Sequence, residues 1–235
     1  MSELIESLSQ AASLIWHLDA DLLEIVGLSL YVSLNAVAIA SLIGMPLGAL
    51  VATTRFPGRG AVVVFMNAFM GLPPVVVGLF VYLMLSRAGP LGDLGLLFTP
   101  TAMIIAQTIL VLPIIAALTR QTTADLHSEY ADYLDSLRLS HTQSVITLLW
   151  EGRFSLFTAA LAGFGRAIAE VGAVIVVGGN INHVTRVMTT TIALETTKGN
   201  LALALGLGLV LIMLVCVINA LAFGVQRRTQ RWQGA

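Results

Sequence analysis

The sequence predicts an all-α fold, a polytopic membrane helix bundle with about five spanning helices and one further helix at its N-terminus. The first observation is composition: 57% of the 235 residues are hydrophobic and 11% are charged, whereas soluble domains carry about 25% charged residues. The second is five apolar runs, each close to the roughly 20 helical residues that cross a hydrocarbon core of about 30 Å. The third is one long polar segment, 121–152, between the third and fourth runs.

The N-terminal segment, residues 1–20, is predicted to be an amphipathic helix lying at the membrane interface. Its apolar residues recur near helical spacing at Leu4, Ile5, Leu8, Ala11, Ala12, Ile15 and Trp16. A frayed tail and a further span are the alternatives. The segment begins with Glu3 and Glu6 and has no basic region before an apolar one, so it lacks the pattern of a signal peptide.

The five predicted spans cover about residues 25–51, 61–86, 100–119, 154–178 and 201–225. The second contains GLPPVVVGL, which places Pro73 and Pro74 near the middle of the membrane. Each proline removes a backbone donor, and its ring displaces the carbonyl four residues earlier. The freed groups are tolerated only where protein or a cavity satisfies them. We therefore predict a break at Pro73–Pro74, which either shapes a gate or is a static kink.

The fourth span carries two charges, Arg166 and Glu170, among about eleven Leu, Ile, Val and Phe residues between 154 and 178. A central charge costs about 2.5–3.5 kcal/mol on insertion scales and each large apolar residue contributes roughly −0.3 to −0.6 kcal/mol, so the two sums nearly cancel. We expect this span to face protein or a watery path. The spacing of four residues predicts that the two side chains share one helix face. The pair then either lines or gates the watery path, or serves only to fix how this helix packs against its neighbours.

The distribution of basic residues predicts the orientation. Three basic residues fall on one side of the predicted spans, at Arg87, Arg186 and Lys198. Eight fall on the other side, at Arg55, Arg59, Arg120, Arg138, Arg153, Arg227, Arg228 and Arg231. The richer side is predicted to be cytoplasmic, with the N-terminus outside and the C-terminus inside.

The segment 121–152 is predicted to be an ordered cytoplasmic element. SEYADYLDSLRLSHTQSVITLLWEG has helical periodicity and no proline or glycine before Gly152. This favours a short helix, a bend near residues 139–141 and a second helix that leads into the membrane. An ordered loop of this length is typical of a docking surface; packing on its own bundle is the alternative.

Several kinds of chemistry find no support in the sequence. There is no GxxxxGK[ST] phosphate-binding loop, so no nucleotide site is recognised. The histidines at 17, 127, 141 and 183 lack metal-ligand spacing, and one cysteine makes neither an internal disulfide nor a cysteine-based metal site. We expect no catalytic residues, no metal and no cofactor. A stand-alone channel or secondary carrier remains an alternative that the lack of an internal repeat disfavours, and a scaffold without transport is another.

Three stretches carry a resemblance to a known family. GFGRAIAEVGAVIVVGGNI at 163–181, following the cytoplasmic helix–bend–helix, resembles permease subunits of ABC importers for tetrahedral oxyanions (molybdate, tungstate, sulfate). MGLPPVVVGLFVYLMLSRAGPLG at 70–92 and ALETTKGN at 193–200 look most like the tungstate branch. The resemblance covers the chain from about residue 22. It implies the type I importer permease fold, with residues 1–235 as one permease domain of a cell inner-membrane protein.

The resemblance also implies partners and site residues. It implies a homodimer, two cytoplasmic ATPase subunits and an external oxyanion-binding protein, with tungstate as the favoured cargo and molybdate or sulfate as alternatives. The family's ATPase-docking loop carries a Glu-Ala-Ala…Gly signature, where this chain has Asp132, Tyr133 and Leu134 and then Arg138 in place of the glycine. The implied coupling residues are Asp132, Tyr133, Leu134, Leu137, Arg138, Leu139 and Ser140. The residues predicted to line the path or form its gate are Pro73, Pro74, Arg166 and Glu170.

Overall fold

The computed structural model describes residues 20–233, without the side chains of 222, 223 and 225–233. The prediction for residues 1–20 therefore lies almost wholly outside the described part of the chain. Within that part the fold is all-α, as predicted. Its helices are α1 (Ala20–Thr53), α2 (Arg59–Phe69), α3 (Pro74–Leu85), α4 (Pro100–Glu129), α5 (Ala131–Ser136), α6 (His141–Glu151), α7 (Arg153–Ile168), α8 (Gly172–Gly178), α9 (Met188–Lys198) and α10 (Leu201–Gln233), with a 3₁₀ turn at Gly92–Leu94.

Three described helices are long and apolar enough to cross a membrane by themselves: α1, α4 and the Leu201–Leu221 part of α10. Two further spans arise if each of two broken pairs counts as one, namely α2 with α3 and α6 with α7. The total of up to five agrees with the predicted number. Helix α4 continues to Glu129, ten residues beyond the predicted end, because its polar C-terminal third contains no proline or glycine to stop it.

The fourth predicted span is wrong as a single helix. Helix α7 ends at Ile168, and the seven-residue α8 begins at Gly172 after a break at residues 169–171. At its other end, α7 follows α6 after Gly152 with a bend of 71°. Glycines on both sides lower the cost of leaving the helix, since glycine is a poor helix former.

The described chain divides into two compact units, each built from separate stretches. The first comprises 20–33, 74–106 and 168–233, and the second comprises 34–73 and 107–167.

In the second unit, small residues let helices approach α4 closely. A Cβ on Gly44 of α1 would lie 3.2 Å from the carbonyl oxygen of Leu112, and a Cβ on Gly48 would overlap that of Ala116. On α7, a Cβ on Gly163 would lie 2.8 Å from Val111 Cγ1. Gly163 forms a row of small residues at four-residue spacing with the buried Ala159 and Ala167. Such rows are what brings membrane helices into close contact.

In the first unit, the short helices α3 and α8 pack closely against each other. A Cβ on Gly78 would lie 2.8 Å from Ala173 Cα, so the two backbones nearly touch. Val77 and Val81 of α3 and Val174 of α8 are buried. The helix that begins at Pro74 thus packs against the helix that follows Glu170.

Candidate functional site

The predicted helix–bend–helix is confirmed. Helix α5 ends at Ser136, the chain turns through residues 137–140, and α6 begins at His141. The turn uses Arg138 in the left-handed region, at φ 49°. Ser140 and Gln143 then form a capping box: Ser140 Oγ accepts from Gln143 N at 3.4 Å, and Gln143 Oε1 accepts from Ser140 N at 2.9 Å. Reciprocal capping of this kind fixes where α6 starts.

The implied coupling residues lie mostly on the surface of this element. Tyr133 is 61% exposed and Leu137 is 50% exposed, whereas Leu134 between them is 5% exposed and anchors α5. Asp132, Arg138 and Ser140 are exposed and Leu139 is half-buried. We name the exposed set Asp132, Tyr133, Leu137 and Arg138 the coupling surface. Two adjacent large apolar groups flanked by opposite charges are suited to a protein partner.

Two contacts hold the element in the second unit. The Thr53 hydroxyl at the end of α1 lies 3.5 Å from His141 Nε2. A Cβ on Gly152 would lie 3.1 Å from Leu126 Cδ1, so the junction between α6 and α7 packs against the extended end of α4. The part of α4 beyond its predicted end therefore supports the helix–bend–helix formed by α5 and α6, which we call the coupling element.

The break at Pro73–Pro74 is confirmed. Helix α2 ends at Phe69 and α3 begins at Pro74, which occupies the first helical position, where its missing N–H costs nothing. The intervening residues, 70–73, are outside the helices.

Glu170 lies in the second break, at the N-terminus of α8. Its side chain is buried, and its Oε1 accepts from Ala173 N at 3.1 Å. Its backbone carbonyl accepts from Thr189 Oγ1 at 2.7 Å. A carboxylate at this place satisfies an orphan helix donor and faces the positive end of the helix. Because Gly172 has no side chain, Val75 at the start of α3 also reaches this corner.

The prediction that Arg166 and Glu170 share one helix face is wrong. Arg166 is half-buried in α7, two residues before the helix ends, whereas Glu170 lies beyond its end. The end of α7 is instead tied to α4, since the buried Gln107 donates from Nε2 to the Ala167 carbonyl at 3.0 Å. Asn219 of α10, by contrast, donates from Nδ2 to the Val215 carbonyl of its own helix.

The sequence analysis missed a polar cluster in the first unit. His183 Nδ1 lies 2.8 Å from Glu24 Oε2, and Asp21 brings a third potential ligand atom within 4.8 Å of the other two. Hydrogen bonding to Glu24, followed by the charge of that carboxylate, raises the pKa of His183 above 6.5. A separation of 159 residues leaves no spacing signal for this contact. The positive charge of Arg186 opposes protonation of His183.

The motif ALETTKGN also gains a structural explanation. Glu195 is buried at the end of α9, and its two carboxylate oxygens accept from Lys198 Nζ at 2.9 Å and Asn200 Nδ2 at 3.0 Å. Gly199 supplies the left-handed conformation that ends the helix, at φ 80°. The motif therefore closes α9 and starts α10.

Comparison with known proteins connects this architecture to a family. The family described as "Binding-protein-dependent transport system inner membrane component" matches residues 44–233. Its match covers the coupling element, both helix breaks and the helices that follow.

Individual relatives match over most of their length. A "Probable anion ABC transporter permease protein" of Haloferax volcanii is 41% identical over 88% of this chain and 92% of its own. A "Tungstate uptake system permease protein TupB" of Peptoclostridium acidaminophilum is 39% identical over 96% of this chain and 99% of its own. The protein of that name in Campylobacter jejuni is 35% identical over 85% and 83%. Permeases of molybdenum and sulfate transport systems match at 26% and 24% identity over shorter stretches.

Proposed function

The chain belongs to the family of binding-protein-dependent transport system inner membrane components, and from that premise we propose that it is the permease of an ATP-driven importer whose cargo is tungstate. Two relatives named as tungstate uptake permeases, at 39% and 35% identity, support this cargo over molybdate and sulfate, whose permeases are more distant. We further propose that two copies of the chain enclose the path, with a binding protein outside and two ATPase subunits in the cytoplasm.

The observation that carries the proposal is the coupling surface. An exposed apolar pair, Tyr133 and Leu137, stands on a short helix that Leu134 anchors. A capped helix, α6, follows it directly and leads through a 71° bend into α7. A helix seated in a partner's groove transmits force only if it is firmly joined to what must move. The contacts of His141 with Thr53 and of Gly152 with Leu126 support that role here.

For the translocation path we propose that the two helix breaks form a gate. One break precedes Pro74 and the other contains Glu170, and the helices that start there, α3 and α8, pack against each other. Residues outside the helical ladder absorb changes in backbone angle more readily than those within it. Pro73 and Arg166 border the breaks, Pro73 as the last residue before α3 and Arg166 near the end of α7. Packing alone is the alternative.

A dianion must be bound weakly enough to leave, so a path with few fixed cations suits passage better than a strong cationic site. Selectivity would then reside mainly in the external binding protein. ATP-driven closure of the ATPases would shift the permease between inward- and outward-facing states through contacts that differ between them.

The test is reconstitution with the cognate ATPase and binding protein in vesicles. Leu137→Asp places a charge in the proposed interface and is expected to abolish complex formation and ATP-dependent tungstate uptake. Leu137→Met keeps an apolar group of similar volume and is expected to retain both. Transport that survives Leu137→Asp would refute docking at this surface.

The identity of the cargo is tested by a separate measurement. Calorimetric titration of the cognate binding protein with tungstate, molybdate and sulfate is expected to show tightest binding for tungstate. A preference for sulfate would refute the cargo and leave the permease assignment intact. Uptake without ATPase and ATP would instead favour a stand-alone channel or carrier.

A further inference from the structure

The second unit contains an open groove of about 700 Å³ that the proposed transport mechanism does not use. One wall is α1, with Ala38, Leu42 and Met45, and the other is the junction of α6 with α7, with Trp150 and Phe157. The volume falls in the range of pockets that hold drug-sized molecules, roughly 300–1,000 Å³. The groove borders α6, the helix that directly follows the coupling surface.

The walls of the groove are apolar and exposed. Leu42 is 78% exposed, Trp150 69% and Phe157 43%. Leu42 and Phe157 lie on predicted spans, where exposed apolar side chains face lipid chains rather than water. Among the described residues that line the groove, Arg153 is the one charged side chain.

The surroundings of Arg153 hold its guanidinium in a defined position. The group lies 5.0 Å from the centroid of the Trp150 ring and 4.6 Å from that of Phe154. Its Nη1 donates to the Trp150 carbonyl at 2.7 Å, which accounts for one of five N–H donors. A guanidinium that lies over two aromatic rings at the start of a spanning helix is suited to bind a phosphate in the headgroup region.

From this combination we propose that the groove binds an anionic phospholipid, with an acyl chain along the walls and the phosphate at Arg153. The apolar walls match a hydrocarbon chain, and the single cation of the lining, Arg153 at the start of α7, matches the headgroup charge. The predicted cytoplasmic position of Arg153 places it at the leaflet that is rich in anionic lipids. A second copy of the chain is the competing occupant, but an apolar helix face would leave the role of Arg153 unexplained.

The test measures which lipids contact Trp150 in the full chain reconstituted in vesicles. The chain has three tryptophans, so Trp16→Phe with Trp232→Phe leaves Trp150 as the only emitter. Phospholipids brominated on their acyl chains quench a tryptophan that they touch. Brominated phosphatidylglycerol is expected to associate about fivefold more strongly than brominated phosphatidylcholine, the preference that one basic residue confers near a membrane surface.

Variants separate the groove from the rest of the surface. Arg153→Ala is expected to bring the ratio between the two lipids to about one, and Arg153→Lys to retain most of the preference, since the charge remains. Ala38→Phe fills the groove and is expected to reduce quenching by both lipids. Arg55→Ala, an exposed cation outside the lining, and Ile39→Phe, the neighbouring position outside the lining, are the matched controls and are expected to behave like the parent chain.

Two results would overturn the proposal. One is an equal response to both lipids that Arg153→Ala does not change. The other is weak quenching by every brominated lipid that rises as the protein is diluted in the membrane, since this would mean that a second copy of the chain covers the groove.

Discussion

At the scale of single residues, Glu170 shows how a charge is accommodated in a membrane protein. Its carboxylate is buried, accepts from the backbone of α8 and sits beside the glycine at which that helix begins. A helix N-terminus is a favourable place for a negative charge because orphan N–H groups and the helix dipole both point towards it. These local interactions therefore offset the free-energy cost of placing a carboxylate in an apolar segment.

Two substitutions distinguish the effect of the Glu170 charge from the effect of its hydrogen bond. Glu170→Gln keeps an oxygen that accepts from Ala173 N and is expected to fold, whereas Glu170→Ala leaves that donor unsatisfied and is expected to destabilise the chain by about 1 kcal/mol. Thermal unfolding of the detergent-solubilised protein measures the difference.

Transport by the same variants tests the gate. If the breaks gate the path and the charge takes part, Glu170→Gln is expected to fold like the parent chain and to transport more slowly. Full transport by Glu170→Gln would restrict Glu170 to packing.

His183 introduces a dependence on pH in the segment between α8 and α9. Its pKa is raised above 6.5 because the Glu24 carboxylate accepts its hydrogen bond and attracts its charge, with Asp21 adding to and Arg186 opposing the effect. The contact therefore stabilises the fold fully below pH 6.5, and this contribution is lost as the pH rises through the raised value.

The expected outcome is a melting temperature that falls as the pH rises from about 6.5 through the raised pKa of His183. His183→Gln is expected to flatten that part of the profile, because glutamine does not titrate. An unchanged slope in the variant would assign the pH dependence to another group.

At the scale of elements, the packing of α1 against α4 depends on glycines at particular positions. Gly44 and Gly48 are one turn apart on the buried face of α1, and their missing side chains bring α1 against the backbone of α4. Without water to drive association, close contact of this kind is what holds membrane helices together.

Gly48→Ala is therefore expected to destabilise the chain by about 1–3 kcal/mol, since the added methyl meets the Ala116 carbonyl and the helices must move apart. The matched control is Gly27→Ala on the same helix, where nothing lies within 4 Å of an added Cβ. That change is expected to be neutral or slightly stabilising, because alanine is the better helix former. Equal effects of the two changes in thermal unfolding would contradict the close approach of α1 and α4.

At the scale of the whole molecule, the distribution of basic residues predicts an orientation in the membrane that can be tested. We propose that the coupling surface lies in the cytoplasm and that the turn at Gly92–Leu94 lies outside. The chain has one cysteine, so Cys216→Ala gives a background for single labels.

In that background, Asp93→Cys is expected to react with a membrane-impermeant maleimide on intact spheroplasts, and Arg138→Cys only after permeabilisation. Both side chains are exposed and lie in turns, so reactivity compares the sides of the membrane rather than burial. The reverse pattern would overturn the orientation and, with it, docking of a cytoplasmic ATPase at Tyr133 and Leu137.

Local patterns sufficed for much of the architecture. The all-α class, the number of spans, the break at Pro73–Pro74 and the helix–bend–helix ahead of α7 follow from apolar runs, proline chemistry and helical periodicity, each of which acts within a few residues. The resemblance to oxyanion permeases likewise rests on contiguous stretches. These features are determined by the sequence itself because their physical causes lie in neighbouring residues.

Tertiary structure decided the rest. Periodicity did not reveal that α7 ends before Glu170, because the competing helix start at α8 is held by contacts of Glu170 with Ala173 and Thr189. It also gave no sign of the pair Glu24–His183, whose partners are 159 residues apart, or of the groove at Arg153, whose walls come from α1, α6 and α7. Contacts between distant parts of a chain depend on how its helices pack, and no local pattern carries that information.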